Sequence, residues 1–169
     1  CTEWPLCTPE SLVPTPAQGI HGIIEFGNRT MTGLVGILSI VVLLLVLVIV
    51  GQRRLMLRAV WYALAGIVVG VAGHMIATAA GFPEPFVVTS AILLLATLAA
   101  AVDVTRRAST RRDLVVLAAI VLVGVVAQAF VGGITVLTGL NPFIVGFHYV
   151  ASLLLVCVTA AFLVRMHEP

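Results

Sequence analysis

Four polar residues that could do chemistry stand together just before a long apolar stretch: His21, Glu25, Asn28 and Arg29. If this stretch is helical, His21, Glu25 and Asn28 recur at the spacing of one helix face. Arg29 follows Glu25 by four residues, so the two side chains can pair. Ionisable groups at the mouth of a membrane span are costly to keep there, which favours a functional site. The alternative is an interfacial cap whose arginine extends to the membrane surface.

The composition identifies the environment in which these residues must be positioned. The chain has 169 residues, of which 61% are hydrophobic and 9% are charged, whereas soluble domains carry about 25% charged residues. We therefore expect an integral membrane protein whose main partner is membrane lipid. The basic residues are too few and too scattered to predict a nucleic-acid partner. Because the chain starts at Cys1 without a signal-peptide pattern, we expect a processed piece of a longer protein.

Five apolar runs are close to the length of about 20 residues that a membrane span requires. They cover residues 23–50, 57–80, 86–102, 114–132 and 143–164. We predict an all-α, polytopic transmembrane bundle of five spans, in which short connections make successive helices antiparallel. The predicted organisation is an extracytoplasmic segment rich in Cys and Pro (1–22), the transmembrane bundle (23–166) and a cytoplasmic tail (167–169).

Arginine placement predicts the orientation of the bundle. Eight arginines fall on the same side of the predicted bundle: Arg53, Arg54, Arg58, Arg106, Arg107, Arg111, Arg112 and Arg165. Basic residues are enriched on the cytoplasmic side of membrane proteins, so this pattern predicts an external N-terminus and an internal C-terminus. We expect a multi-pass protein of the plasma membrane. Arg29 is the exception, and it belongs to the polar cluster described above.

This topology places three further polar side chains near the level of Glu25. His74, Gln128 and His148 are predicted to lie roughly 8–9 Å below the outer boundary, at about 1.5 Å per helical residue. Histidines on facing helices of a bundle are a common way to hold haem. The alternative is that each histidine forms a hydrogen bond with a neighbouring helix. The sequence has no Cys-x-x-Cys-His motif for covalent haem attachment and no His/Cys cluster with zinc spacing.

Cys1 and Cys7 flank a short segment that lies outside the membrane in this topology. Two cysteines this close can close a small disulfide loop, either as a structural staple or as a redox-active pair. Small residues also recur along the predicted helices. Gly124 and Gly132 flank Gln128 on one face, and Gly33 and Gly36 line another. Such glycines allow close helix packing, or they make room for a flat macrocycle.

Three blocks of the sequence resemble haem A synthase. Residues 25–29, Glu-Phe-Gly-Asn-Arg, resemble the Glu-Phe-x-His-Arg motif of that family. Residues 1–7 resemble the cysteine loop that precedes the motif. Residues 128–148 resemble the third span, the second outer loop and the fourth-span histidine of the family's N-terminal half. The blocks occur in the family's order and on one predicted side of the membrane, and the resemblance covers residues 1–50 and 112–166.

The resemblance implies a membrane oxidoreductase that converts the C8 methyl group of haem O to a formyl group, with water as the oxygen source, for cytochrome oxidase biogenesis. It implies that Glu25 is catalytic and pairs with Arg29, that His148 ligates haem iron, and that Cys1 and Cys7 form the outer-loop pair. Further expected haem-binding residues are Asn28, His21 and Gln128, with His74 as an alternative ligand. The family holds a cofactor, haem b, in its second half. Expected partners are the haem O-producing enzyme, cytochrome oxidase assembly factors, and a second copy or a separate second half.

The chain departs from the family pattern in three ways. Asn28 stands where the motif has histidine, which leaves one axial ligand of the haem unassigned. Two additional spans, within residues 57–102, occupy the place of a short inner loop. The family's first span and second half have no counterpart here, so we expect them in further residues or in another subunit. The alternative functions are a b-type haem electron-transfer protein without hydroxylase activity and a non-haem membrane scaffold.

Overall fold

The computed structural model describes residues 4–8 and 10–168, and long helices account for most of this part of the chain. After a 3-10 turn at Pro16–Gln18, the helices are α1 (Gly19–Ile49), α2 (Arg53–Ala79), α3 (Pro85–Arg107), α4 (Arg112–Leu137) and α5 (Pro142–His167). All five are long and apolar enough to cross a membrane. The prediction of an all-α, five-span, multi-pass membrane protein is therefore confirmed, whereas its orientation stays a prediction.

Signals in the sequence mark several helix ends. Pro85 and Pro142 open α3 and α5, at the first helical position, where the missing N–H costs nothing. Gly51, Gly81 and Gly139 each follow a helix by two residues and have φ values of 75°, 72° and 64°. These positive values belong to the left-handed conformation that commonly terminates a helix and that glycine adopts without strain. The short connections between the helices are thus encoded locally.

Two helix boundaries differ from the sequence-based expectation. The first helix begins at Gly19, four residues before the first predicted apolar run and inside the predicted extracytoplasmic segment (1–22). The fourth helix continues to Leu137, five residues beyond the predicted end of its span at Gly132. A glycine inside a helix costs only about 1 kcal/mol, whereas unpaired backbone groups in a membrane cost several. Continued helical hydrogen bonding therefore outweighs the helix-breaking tendency of the Gly132–Gly133 pair.

The helices pack in an order that leaves α4 at the centre. Helix α4 contacts α1, α3 and α5, while α2 packs mainly against α3 and only lightly against α1. Among the described residues, α1 and α5 make no direct backbone contact with each other. The bundle therefore has a cleft between α1 and α5 that α4 closes from behind.

Hydrogen bonds tie the connections together at one end of the bundle. Gln52 Nε2 donates to the carbonyl oxygen of Thr110 at 3.0 Å, and Arg111 Nη2 donates to the carbonyl oxygen of Arg165 at 2.6 Å. We call this end, where the eight arginines outside α1 lie, the arginine end. The opposite end carries the start of α1 and the segment before it. We call residues 4–8 and 10–18 the cap, and that end of the bundle the cap end.

The packed core lies towards the arginine end. Leu47, Val104 and Val115 are fully buried there, and they belong to one cluster of buried side chains from all five helices and the α3–α4 connection. Nearby, Asp103 accepts hydrogen bonds from Arg58 at 2.8 Å and from Arg107 at 2.6 Å. The helices are thus held together at this end, which leaves the cap end free to form a cavity.

Candidate functional site

A cavity with a volume of about 700 Å³ lies at the cap end of the bundle. Its walls are formed by α1, α4, the cap and one side chain of α5. A volume of about 300–1,000 Å³ is typical of cavities that hold small molecules or cofactors. Five of the polar residues that the sequence singled out line it: Glu25, Asn28, Arg29, Gln128 and His148.

Helix α1 contributes the charged wall of the cavity. Glu25 and Arg29 are one helical turn apart, and Arg29 Nη2 lies 2.7 Å from Glu25 Oε1. The two side chains are 30% and 19% exposed, respectively. Asn28, between them in sequence, also faces the cavity. The cavity therefore contains a carboxylate whose position is held by a charge-assisted hydrogen bond.

The cap closes the end of this cavity. Arg29 Nη1 donates to the carbonyl oxygens of Pro5 and Leu6 at 3.0 and 2.8 Å. On the other wall, the indole ring of Trp4 covers Gly133 of α4, where an added Cβ atom would lie 2.5 Å from the ring. The cap thus spans the cavity from α1 to α4. The sequence pointed to neither contact, although a tryptophan in the cysteine loop and a second glycine after Gly132 were visible signals.

Helices α4 and α5 form the uncharged polar wall. Gln128 and Gly132 lie one turn apart on α4, and a Cβ atom added to Gly132 would lie 3.6 Å from Cε1 of His148. The histidine ring therefore lies directly against α4. Within the described part of the chain, Gln128 Oε1 and His148 Nδ1 are buried and have no hydrogen-bond partner. Buried polar atoms are nearly always paired, so these two are available to a ligand.

The glycines divide into two groups with different roles. Gly66 and Gly124 are packing positions, because an added Cβ atom would clash with Ala96 and with Leu155, respectively. Gly33 and Gly36 line the cavity, and no heavy atom of the described chain outside their own helix backbone lies within 4 Å of an added Cβ atom at either position. Gly33 and Gly36 therefore make room in the cavity, whereas Gly66 allows α3 to approach α2 and Gly124 allows α5 to approach α4.

Two predicted haem-binding residues lie elsewhere in the structure. His74 lies between α2 and α3, where its ring is 4.5 Å from the ring of Phe86 and its Nδ1 is 3.4 Å from Thr89 Oγ1. It packs between these helices and is not among the residues described as lining the cavity, so its role as an alternative haem ligand stays a prediction. His21 is exposed in the first turn of α1 and is not among the residues described as lining the cavity.

The predicted disulfide involves a residue outside the described part of the chain. Cys7 is fully buried in the cap, and its carbonyl oxygen accepts a hydrogen bond from Gln18 Nε2 at 3.0 Å. Cys1 lies outside the described residues, so the pairing of the two cysteines stays a prediction. The burial of Cys7 shows that the cap is packed around this position.

The donor set of the cavity fits a haem. His148 supplies an imidazole, the most common protein ligand of haem iron. Across the described ranges, no three His, Cys, Asp or Glu side chains cluster in a way that could hold a metal ion. A haem needs only one or two axial side chains, because the porphyrin supplies the other ligands. Asn28 is a poor iron ligand, so these residues fit a haem that is held by one histidine.

Comparisons of the chain with protein-family models, with curated proteins and with solved structures find no match. The functional interpretation therefore depends on the cavity itself. Its defining features are the Glu25–Arg29 ion pair on one helix and, on α4 and α5, two buried polar atoms that have no partner among the described residues.

Proposed function

We propose that this chain is a haem A synthase-like oxidoreductase of the plasma membrane, which oxidises the C8 methyl group of haem O to a formyl group. One observation supports this proposal above the others. A carboxylate on α1, Glu25, and an imidazole on α5, His148, line the same cavity, although α1 and α5 make no direct backbone contact among the described residues. This is the pair of side chains that the resemblance to haem A synthase requires to act at one site.

In the proposed reaction, His148 would hold the haem iron, and the bound haem O would supply the methyl group that is oxidised. Glu25 accepts a proton from the attacking water, the role of a general base. Because a carboxylate near the reacting carbon also stabilises positive charge that develops there, Glu25 lowers the energy of the transition state. Arg29 keeps the carboxylate oriented through the 2.7 Å hydrogen bond. Asn28 is proposed to contact the haem edge through its amide group.

The reaction also requires an electron acceptor. Each of the two hydroxylations takes its oxygen from water and releases two electrons and two protons, and loss of one water from the twice-hydroxylated carbon gives the formyl group. The proposed acceptor is a haem b, held by a second half of the enzyme or by another subunit, as in the family that the chain resembles. It would take the four electrons one at a time and would be reoxidised each time by an external oxidant. A haem O-producing enzyme and cytochrome oxidase assembly factors are the proposed upstream and downstream partners.

The proposal is tested by expressing the full chain in membranes that contain haem O and a haem b acceptor, and by extracting the porphyrins for mass analysis. We expect formyl-haem from the wild type. Glu25→Gln, which removes the charge but keeps the shape, should bind haem and lose at least about 100-fold in oxidation, the lower range for general acid–base catalysis. His148→Ala should lose bound haem. Glu84→Gln, a change of the same type outside the cavity lining, is the control.

The outcomes separate this function from the two alternatives. Unchanged formyl-haem production in Glu25→Gln would show that Glu25 is not the base. Stably bound haem without any oxidised product, in the presence of a haem b acceptor, would favour a b-type electron-transfer protein. If the chain contains no bound haem after gentle purification, the result would favour a non-haem membrane scaffold.

A further inference from the structure

A second cavity lies deeper in the bundle, between α1, α2, α3 and α4. Its volume is about 290 Å³, close to the lower limit of about 300 Å³ that is typical of cavities that hold ligands. Ala59 and Ile67 of α2 both line it, so it extends along that helix for about 12 Å, at about 1.5 Å per residue. A cavity of this length and small volume suits a chain of carbon atoms better than a planar macrocycle.

The walls of this second cavity are almost entirely apolar. Among the described residues that line it, Thr97 has the only polar side chain, and its hydroxyl group donates to the carbonyl oxygen of Leu93 at 2.7 Å. The other lining residues are Ala, Gly, Val, Leu and Ile. Because a polar group buried without a hydrogen-bond partner is costly, these walls select a hydrocarbon group.

The second cavity adjoins the cap-end cavity, the one lined by Glu25 and His148. Val126 of α4 lines both cavities. On α1, Gly36 lines the cap-end cavity and Ile40, one helical turn later, lines the second cavity. Residues four apart project from the same face of a helix, so the two cavities follow one another along α1. A ligand whose ring lies in the cap-end cavity can therefore extend a side chain into the second cavity.

Most of the residues that line the second cavity come from α2 and α3. These two helices are the additional spans that have no counterpart in the pattern of haem A synthase. Helix α2 packs mainly against α3 and only lightly against α1, so the pair stands slightly away from α1 and leaves this space. The cavity thus gives the two additional spans a role beside the helices that carry Glu25 and His148.

We propose that the second cavity holds the isoprenoid tail of the haem whose ring occupies the cap-end cavity. This inference rests on the proposed function, because it takes the ligand to be haem O, whose ring carries a hydroxyethylfarnesyl tail. In haem O the tail and the propionates leave the ring at roughly opposite edges. A tail that points into the second cavity therefore directs the charged propionates towards the cap end, away from the middle of the membrane, where charges are costly.

The test is an absorbance titration of the purified full chain in lipid nanodiscs with haem O and with protohaem, which has a vinyl group in place of the tail. Ala100→Leu adds bulk to the second cavity from α3, and Ala63→Leu does so from α2. We expect each variant to bind haem O at least about fivefold more weakly, the lower end of the cost of overpacking. Its affinity for protohaem should be unchanged, because protohaem has no tail.

Ala99→Leu and Ala65→Leu are the matched controls. Each makes the same change at an exposed position of the same helix, outside the described lining of the second cavity, and should bind both haems as the wild type does. Thermal unfolding of each variant shows that it is folded before titration. If only one of the two lining variants folds, that variant decides the result.

The outcomes separate the tail site from the proposed function. Unchanged haem O binding in the folded lining variants would overturn the tail site, assign the cavity to the acyl chains of bilayer lipid and leave the haem proposal standing. Equal losses of haem O and protohaem would overturn it too, because the tail would then make no difference. If neither haem binds the wild type, the proposed function itself fails, and this inference fails with it.

Discussion

Arg29 holds Glu25 and the cap with a single guanidinium group. Its Nη2 atom donates to Glu25 Oε1 at 2.7 Å, and its Nη1 atom donates to the carbonyl oxygens of Pro5 and Leu6 at 3.0 and 2.8 Å. The planar guanidinium presents several donors in fixed directions, which the single ammonium group of lysine cannot reproduce. The carboxylate of the cavity and the segment that covers the cavity are therefore coupled through one side chain.

Arg29→Lys is expected to release the cap and keep a positive charge beside Glu25. The Cys7 and Thr8 amides, which donate to the carbonyl oxygen of Ser11, should lose about tenfold in hydrogen-exchange protection, since hydrogen bonds to charged donors contribute about 1.5–3 kcal/mol. Arg53→Lys at the arginine end is the control and should leave these amides unchanged. Equal protection in Arg29→Lys and the wild type would contradict the anchoring role of Arg29.

Gly133→Ala is expected to destabilise the protein by displacing the indole ring of Trp4. The added Cβ atom would lie 2.5–2.8 Å from three ring atoms, and overpacking of this kind typically costs about 1–3 kcal/mol. The measurement is the free energy of unfolding in detergent. Gly146→Ala, in α5, is the matched control. An added Cβ there meets no described heavy atom within 4 Å beyond the helix's own backbone, so this variant should be neutral or slightly stabilised.

A double-mutant cycle attributes the effect to the indole ring. If the ring of Trp4 causes the clash, Gly133→Ala should cost much less in a Trp4→Ala background, because contacting residues are energetically coupled. An equal cost in both backgrounds would place the clash elsewhere.

Gly36→Leu is expected to fill the cavity without disturbing the helices. Gly36 lines the cavity, and apart from its own helix backbone no described heavy atom lies within 4 Å of an added Cβ atom. We expect the variant to fold with a melting temperature at or above that of the wild type, since leucine favours helix more than glycine does. Its affinity for haem should fall at least tenfold, measured by absorbance titration. Gly146→Leu should bind haem normally, and unchanged binding in Gly36→Leu would place the haem outside this cavity.

The orientation of the bundle is tested by labelling introduced cysteines in intact cells. Ser109→Cys lies in the connection between α3 and α4, and Thr138→Cys lies just after α4 at the opposite end. We expect a membrane-impermeant maleimide to label Thr138→Cys directly and Ser109→Cys only after permeabilisation. The unsubstituted chain controls for reaction at native cysteines. Labelling of both positions from the same side would contradict the topology.

Helix number and type followed from the sequence because they depend on local composition. In a membrane, the backbone N–H and C=O groups of an apolar run must form hydrogen bonds within the run itself. Each run therefore becomes a helix, whichever other helices it packs against. Several helix ends were also encoded locally, by Pro85 and Pro142 at helix starts and by Gly51 and Gly81 after helix ends. The C-terminal end of α4 could not be predicted in this way, because the Gly132–Gly133 pair is a loop signal in water but remains helical in this bundle.

The sequence also placed Glu25 and Arg29 together, because a spacing of four residues on a helix is enough to make them neighbours. Depth alone could not distinguish His74 from His148, since both are predicted at a similar level, and only the resemblance to haem A synthase favoured His148. Packing order made the difference: α2 turns His74 towards Phe86 of α3, whereas α5 packs on α4 and brings His148 into the cavity.

Contacts between distant parts of the chain were decided only by the tertiary structure. Trp4 meets Gly133 and Arg29 meets Pro5 and Leu6 because the cap folds back over the cap end of the bundle. The sequence by itself determined five membrane-spanning helices and the identity of the polar residues that they carry. The rotation of each helix about its axis and the choice of its neighbours are set by side-chain packing between helices, and these alone decided which polar residues share the cavity.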